Sequence, residues 1–110
     1  NSLRCPQPRK VKLDKTGHKL GFHLIKNSQN NGPILIKRII PGSTAHKHGG
    51  FKPGDCILSI NGESMEDKPV WYASIQLQCT SGKVTLEVRY MPGALVECKN
   101  ENYQVASSDC

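Results

Sequence analysis

Asn61-Gly62, set directly behind the apolar run Cys56-Ile57-Leu58-Ser59-Ile60, restricts this chain more than any other feature. The dipeptide is the strongest short-range hairpin signal, because both residues tolerate the positive φ that a tight two-residue turn demands. A strand must arrive at it and another must leave. The same logic repeats along the chain. Val11 and Leu13 share one face of 9–13, and Leu20, Phe22 and Leu24 alternate after the turn Lys15-Thr16-Gly17-His18. Pro33 to Ile40 is rich in isoleucine, and Val84 to Tyr90 alternates again. A period of two marks half-buried strands. The polar cluster Asn27 to Gly32 predicts a hairpin loop, and Lys52-Pro53-Gly54-Asp55 a tight turn. Two short helices interrupt the strands. Ser43 or Thr44 caps the first, which runs to about His48 and is stopped by Gly49-Gly50. Asp67 is the expected N-cap of the second, with Pro69 in its first turn and its end near Cys79. On that helix Val70, Ala73, Ser74 and Leu77 share one face, and Trp71, Ile75 and Gln78 lie on another. The chain is strand-rich with two short helices.

At 110 residues the chain has room for one domain with one core. It begins with Asn1, so it is expected to be a module of something longer. No apolar run approaches the roughly 18 residues needed to cross a bilayer. Residues 1–8, with two prolines, are expected to form a flexible lead-in; 9–91 the domain; and 92–110 a flexible C-terminal extension with a short apolar patch, Ala94-Leu95-Val96. The five cysteines (Cys5, Cys56, Cys79, Cys98 and Cys110) are widely spread. That spacing fits neither a zinc site nor a compact disulfide framework, and a reducing, cytosolic setting accounts for it most simply. Residues 1–90 carry 14 Lys/Arg against six Asp/Glu, a net +8, whereas 91–110 carry −2. The basic residues Arg4, Arg9, Lys10, Lys12, Lys15, Lys19 and Lys26 begin early. They form either a solvated surface or a face that attracts anionic partners. Nucleic acid is not expected among these: aromatic residues are 5% of the chain, too few for a stacking platform.

The segment Lys19-Leu20-Gly21-Phe22-His23-Leu24 carries the chemistry. Glycine inside a strand marks a bulge or a close backbone approach. Three successive amides that curl there form a concavity for an anion. By itself the hexamer is equally compatible with the ordinary opening of a hairpin.

The larger pattern decides between them. Lys19-Leu20-Gly21-Phe22 is similar to the X-Φ-G-Φ signature of the PDZ domain family. It is followed at the family's distances by Ile39-Ile40-Pro41-Gly42-Ser43-Thr44-Ala45. Phe51 to Gly62 then resembles the family's long L-x-x-G-D-x-I-L-x-V-N-G motif, and Gly82-Lys83-Val84-Thr85-Leu86 its closing strand. The resemblance covers about 9–91. It implies a mainly β fold: a partly open antiparallel barrel or sandwich of five to six strands with two short helices.

The resemblance further implies a non-catalytic module that binds the free C-terminal peptide of partner proteins as an added strand. Leu20, Gly21 and Phe22 would present amides to the terminal carboxylate, with Lys15 as the nearby cation. Leu20, Phe22, Leu24 and Leu77 would line the pocket for the ligand's last side chain. Val70, at the first position of the second helix, would set specificity, with Ser74 one turn on and His23 on the strand touching upstream residues. Many family members have histidine where Val70 stands, and valine implies an apolar third-last ligand residue, a Φ-X-Φ preference. The expected partners are C-terminal tails of membrane receptors, channels or signalling proteins. The expected place is a cytoplasmic scaffold at the plasma membrane or cell junctions.

Two other readings follow from the residues. The basic N-terminal face can recruit the protein to anionic lipid, at about 1 kcal/mol per Lys or Arg. Catalysis is not expected: His18, His23, His46 and His48 form no nucleophile and base arrangement, and His46-x-His48 does not put two rings on one helix face. Neither a metal nor a cofactor is expected. The chain's own Ser108-Asp109-Cys110 superficially resembles a ligand end, but Val70 offers its serine no partner, so a monomer is expected in preference to head-to-tail self-binding.

Overall fold

The alternating segments pair into one antiparallel sheet in the computed structural model, which describes residues 7–15, 20–27, 32–80, 82–99 and 103–107. Its strands are β1 (Arg9–Lys15), β2 (Phe22–Asn27), β3 (Leu35–Ile39), β4 (Asp55–Ile60), β5 (Glu63–Ser64), β6 (Gly82–Tyr90) and β7 (Tyr103–Ser107). Between them lie α1 (Thr44–His48), α2 (Val70–Cys79) and α3 (Pro92–Lys99). The strand order is β1-β6-β4-β3-β2-β7, with β5 paired to β4. This is the mostly antiparallel fold with short helices that the pattern implied, enlarged by α3 and β7.

Local chemistry explains most of the punctuation. Asn61 and Gly62 take φ of 51° and 84°, the double left-handed turn that joins β4 to β5. Ser43 caps α1 by accepting from the His46 amide at 3.3 Å, and Gly49 closes it at φ 77°. At α2 the expectation needs correction. Pro69, not Asp67, occupies the N-cap position, and no side chain caps the helix. Asp67 stands at φ 64°, and a capping residue needs extended φ and ψ to aim its carboxylate at the first turn.

One core lies between the sheet, α1 and α2. Leu13, Leu20, Phe22, Leu24, Ile36, Val70, Ala73, Leu77, Leu86 and Val88 are among its buried members. Phe22 and Phe51 meet edge to face at 5.0 Å and 84°, a geometry worth about 0.5–1.5 kcal/mol beyond its buried area. Beneath the turn into β4, fully buried Asp55 accepts from Arg9 Nη2 at 2.7 Å and from the Lys52 amide at 3.0 Å. Arg9 Nη2 also donates to the Gly50 carbonyl at 3.0 Å, tying β1 to the loop after α1.

A second cluster was not anticipated. Within residues 92–110, expected to be a flexible extension, the described residues form α3 and β7. Leu95 and Cys98, three apart on α3, turn inward onto Ile25, Leu35 and Cys56. This packing carries the chain back from the end of β6 to the free edge of β2. Most of the expected lead-in (residues 1–6) and the segment Ser108-Asp109-Cys110 lie outside the described residues.

Candidate peptide-binding groove

The groove runs between β2 and α2, and its floor is apolar because both elements aim their hydrophobic faces into the core. Leu20, Phe22, Leu24, Val70 and Leu77 are gathered in one cluster, each no more than 2% exposed. The face of α2 read from spacing, Val70, Ala73, Ser74 and Leu77, is the buried one. Trp71 and Ile75 point away and are 57% and 43% exposed.

At one end stands the glycine loop. Gly21 has φ +90°, and a Cβ there would lie 2.1 Å from Ser43 Oγ and 2.2 Å from Ser43 Cβ. Only glycine allows both the turn and the approach of α1. The loop is tied down through its carbonyls: Leu20 accepts from the Ala45 amide at 3.0 Å and Gly21 from the Ile40 amide at 2.9 Å.

Lys15 lies near this end, but its Nζ is committed. It donates to the Leu77 and Gln78 carbonyls, both at 2.9 Å. A cation on the last carbonyls of α2 is favoured by the helix dipole, and it orients the helix against β1. At the opposite end buried Lys26 donates to the Lys68 carbonyl and so holds β2 to the approach of α2. His23 is half-buried, pairs with Arg38 on β3, and stands outside the apolar cluster.

The groove already holds a strand. β7 pairs with β2 antiparallel: His23 with Ser107, Leu24 with Ala106, Ile25 with Val105, Lys26 with Gln104 and Asn27 with Tyr103. On the other wall the Ser107 carbonyl accepts from Ser74 Oγ and, at 3.0 Å, from Gln78 Nε2. Gln78 Nε2 lies 3.1 Å from Ser74 Oγ as well, so both side chains serve one acceptor. Sequence reasoning placed Gln78 on the far side of the helix and left Ala106 and Ser107 unassigned. Their only signal is the short run Tyr103-Gln104-Val105, two β-prone residues around a polar one.

Elsewhere the chemistry is sparse. A cavity of about 680 Å3 lies against β4 and β6 among Ile57, Ser59, Met65, Thr85, Glu87 and Arg89, apart from the groove. Among the described residues no group of three or more His, Cys, Asp or Glu side chains could hold a metal. His46 and His48 each accept a backbone N–H through Nδ1, from Gly42 and Gly50 respectively. Cys56, Cys79 and Cys98 carry thiols outside any disulfide. Burial pushes the Cys56 thiol up from 9.0 to about 11. No helix among the described residues is long and apolar enough to cross a membrane.

The family model of the PDZ domain matches residues 10–89. The chain belongs to the PDZ domain family. It is 46% identical over 90 residues to protein lin-7 homolog B of Bos taurus, covering 82% of this chain and 45% of that protein. The Homo sapiens homologue gives the same identity and covers 44% of its own length. The chain thus spans less than half of these relatives. A solved structure, the second PDZ domain of Dlg1 from the choanoflagellate Monosiga brevicollis, superposes with a TM-score of 0.68 at 29% identity. That match covers 76% of this chain and 98% of the other. As a PDZ domain, the chain is a protein-interaction module.

Proposed function

We propose that this PDZ domain binds the free C-terminal peptide of partner proteins, as a strand added to β2, without catalysing a reaction. The observation that carries this reading is β7. The β2 edge and the α2 wall accept an antiparallel strand, with backbone pairing on one side and Ser74 and Gln78 on the other. An edge strand with unpaired donors and acceptors recruits such a partner unless it is covered. We assign the amides of this loop to the ligand carboxylate, in charge-assisted hydrogen bonds, on the left-handed turn that Gly21 makes between Leu20 and Phe22. Leu20, Phe22, Leu24 and Leu77 take the last side chain, which must be apolar since a polar group would be desolvated without a partner. Val70 stands where it meets the third-last residue, which favours a Φ-X-Φ ending. Lys15 acts on the carboxylate only by leaving the end of α2, and is otherwise a brace. His23 meets upstream ligand residues.

The partners fitting this reading are C-terminal tails of membrane receptors, channels or signalling proteins, gathered by a longer scaffold on the cytoplasmic side of cell junctions. Recruitment to anionic lipid draws less support. Arg9, Lys15 and Lys26, three of the basic residues counted for that face, are spent on Asp55, the end of α2 and Lys68. A short strand with one buried anchor binds at about micromolar Kd, roughly −8 kcal/mol. Fluorescence anisotropy with matched peptides ending Φ-X-Φ tests the reading. The free acid should bind and the C-terminal amide should lose at least about tenfold in affinity. Equal binding of the two would overturn the carboxylate loop.

A further inference from the structure

The strand already in the groove is part of the same chain, and its position defines a control on the site. β7 is gripped from both walls, by its pairing with β2 and by Ser74 and Gln78 on the Ser107 carbonyl. Ala106 packs against the apolar cluster that contains Leu24, Val70 and Leu77. It pairs with Leu24, so it fills the slot assigned above to an apolar ligand side chain.

We propose that residues 103–107 are an intramolecular occupant of the groove, and that a partner's C-terminal strand binds by displacing β7. This rests on the groove being the peptide site. The connection makes occupancy local: Leu95 and Cys98 anchor α3 on Ile25 of β2 itself, and only residues 100–102 separate Lys99 from Tyr103. A tether that short holds its segment at an effective concentration of about millimolar.

β7 is nevertheless built to let go. Tyr103 and Val105 are 43% and 56% exposed, and Ala106 is a small anchor. Among the described residues its pairing with β2 runs from His23 to Asn27. If the segment alone binds with a dissociation constant of about 0.1 mM, the tether keeps the groove closed about ten to one. The ligand's apparent affinity is then about tenfold weaker than its intrinsic one.

The test uses the full chain and a fluorescent decapeptide ending Leu-Ala-Val with a free carboxylate. Amide hydrogen exchange of 103–107 is followed with and without saturating peptide, and peptide Kd is measured for the parent chain and for Ala106→Asp. The aspartate sets a charge against the apolar floor and evicts the strand. The expected result is protection of 103–107 in the free chain, its loss on peptide binding, and about tenfold tighter binding by Ala106→Asp. Unprotected amides in the free chain, or protection unchanged by bound peptide, overturn the proposal while leaving the peptide site standing. Protection of 103–107 with no peptide binding to either chain overturns the peptide site itself and, with it, displacement. Protection that appears only with a dimeric mass assigns the strand to a second copy and overturns the intramolecular form. Should Ala106→Asp fail to fold, the exchange measurement on the parent chain still decides.

Discussion

Replacing Gly21 by alanine tests how the glycine loop is built. Two costs arise, and they can be measured separately. The first is conformational: at φ +90° an L-residue with a Cβ is strained by about 1–2 kcal/mol. The second is steric. The new methyl would lie 2.1 Å from Ser43 Oγ and 2.2 Å from Ser43 Cβ, so Ser43 must move. Ser43 is the N-cap of α1 and accepts from the His46 amide, a contact worth about 1 kcal/mol. Moving it also loosens the Ile40–Gly21 and Ala45–Leu20 hydrogen bonds. The total is about 2–4 kcal/mol, a large part of the roughly 5–15 kcal/mol by which a domain is stable. Urea denaturation should show the midpoint falling by about 1–2 M with the slope unchanged. The companion variant Ser43→Gly removes both clashing atoms and by itself costs only a few tenths of a kcal/mol. In the pair, the steric part should return and only the conformational part remain. A Gly21→Ala chain within about 0.5 kcal/mol of the parent, or a strictly additive double-mutant cycle, would refute the reasoning.

Three further outcomes follow from single contacts. Arg9→Met leaves the fully buried Asp55 carboxylate with the Lys52 amide alone and should cost about 2–4 kcal/mol in urea unfolding. Adding Asp55→Asn should cost less than the sum, since the charge is gone, and an additive pair would argue against the ion pair. Burial raises the Cys56 thiol from 9.0 to about 11, so the neutral form is favoured in the fold. Its contribution is complete below about pH 9 and is lost as pH climbs toward about 11, roughly 2–3 kcal/mol in all. Cys56→Ala should flatten that alkaline decline, and an unchanged slope would assign it to other groups. Val70→His should swing peptide-array preference by about tenfold, near 1.4 kcal/mol, from apolar to Ser or Thr at the third-last position; an unmoved preference would take Val70 out of the specificity role.

The legible parts of this fold are those written in neighbouring residues. Asn61-Gly62 announces its turn because two positive φ values must sit side by side, and the structure has them. Ser43 and Gly49 bound α1 for equally local reasons. The buried face of α2 follows from a period of 3.6, and Val70, Ala73, Ser74 and Leu77 are all buried. Asp67 shows the limit of such reasoning. Its residue type suits a cap, but its φ of 64° belongs to the preceding turn, and composition does not reveal which role a residue takes.

The extension was illegible for a different reason. Leu95 and Cys98 find their packing partners far off in sequence, on Ile25, Leu35 and Cys56, between 39 and 73 residues away. Nothing local distinguishes an apolar patch that will find such a surface from one that stays solvated. The same holds for Tyr103 to Ser107, whose strand exists because an edge is waiting for it. Here fold and function meet in one physical fact. A β2 edge that is open enough to recruit a partner's tail is open to any extended segment held close by. Leu20, Gly21 and Phe22 therefore announce a site without stating who occupies it first. The C-terminal extension settles that, because α3 delivers β7 to the groove. On the displacement proposed above, the affinity of this PDZ domain belongs to the competition between ligand and extension, and not to the groove alone.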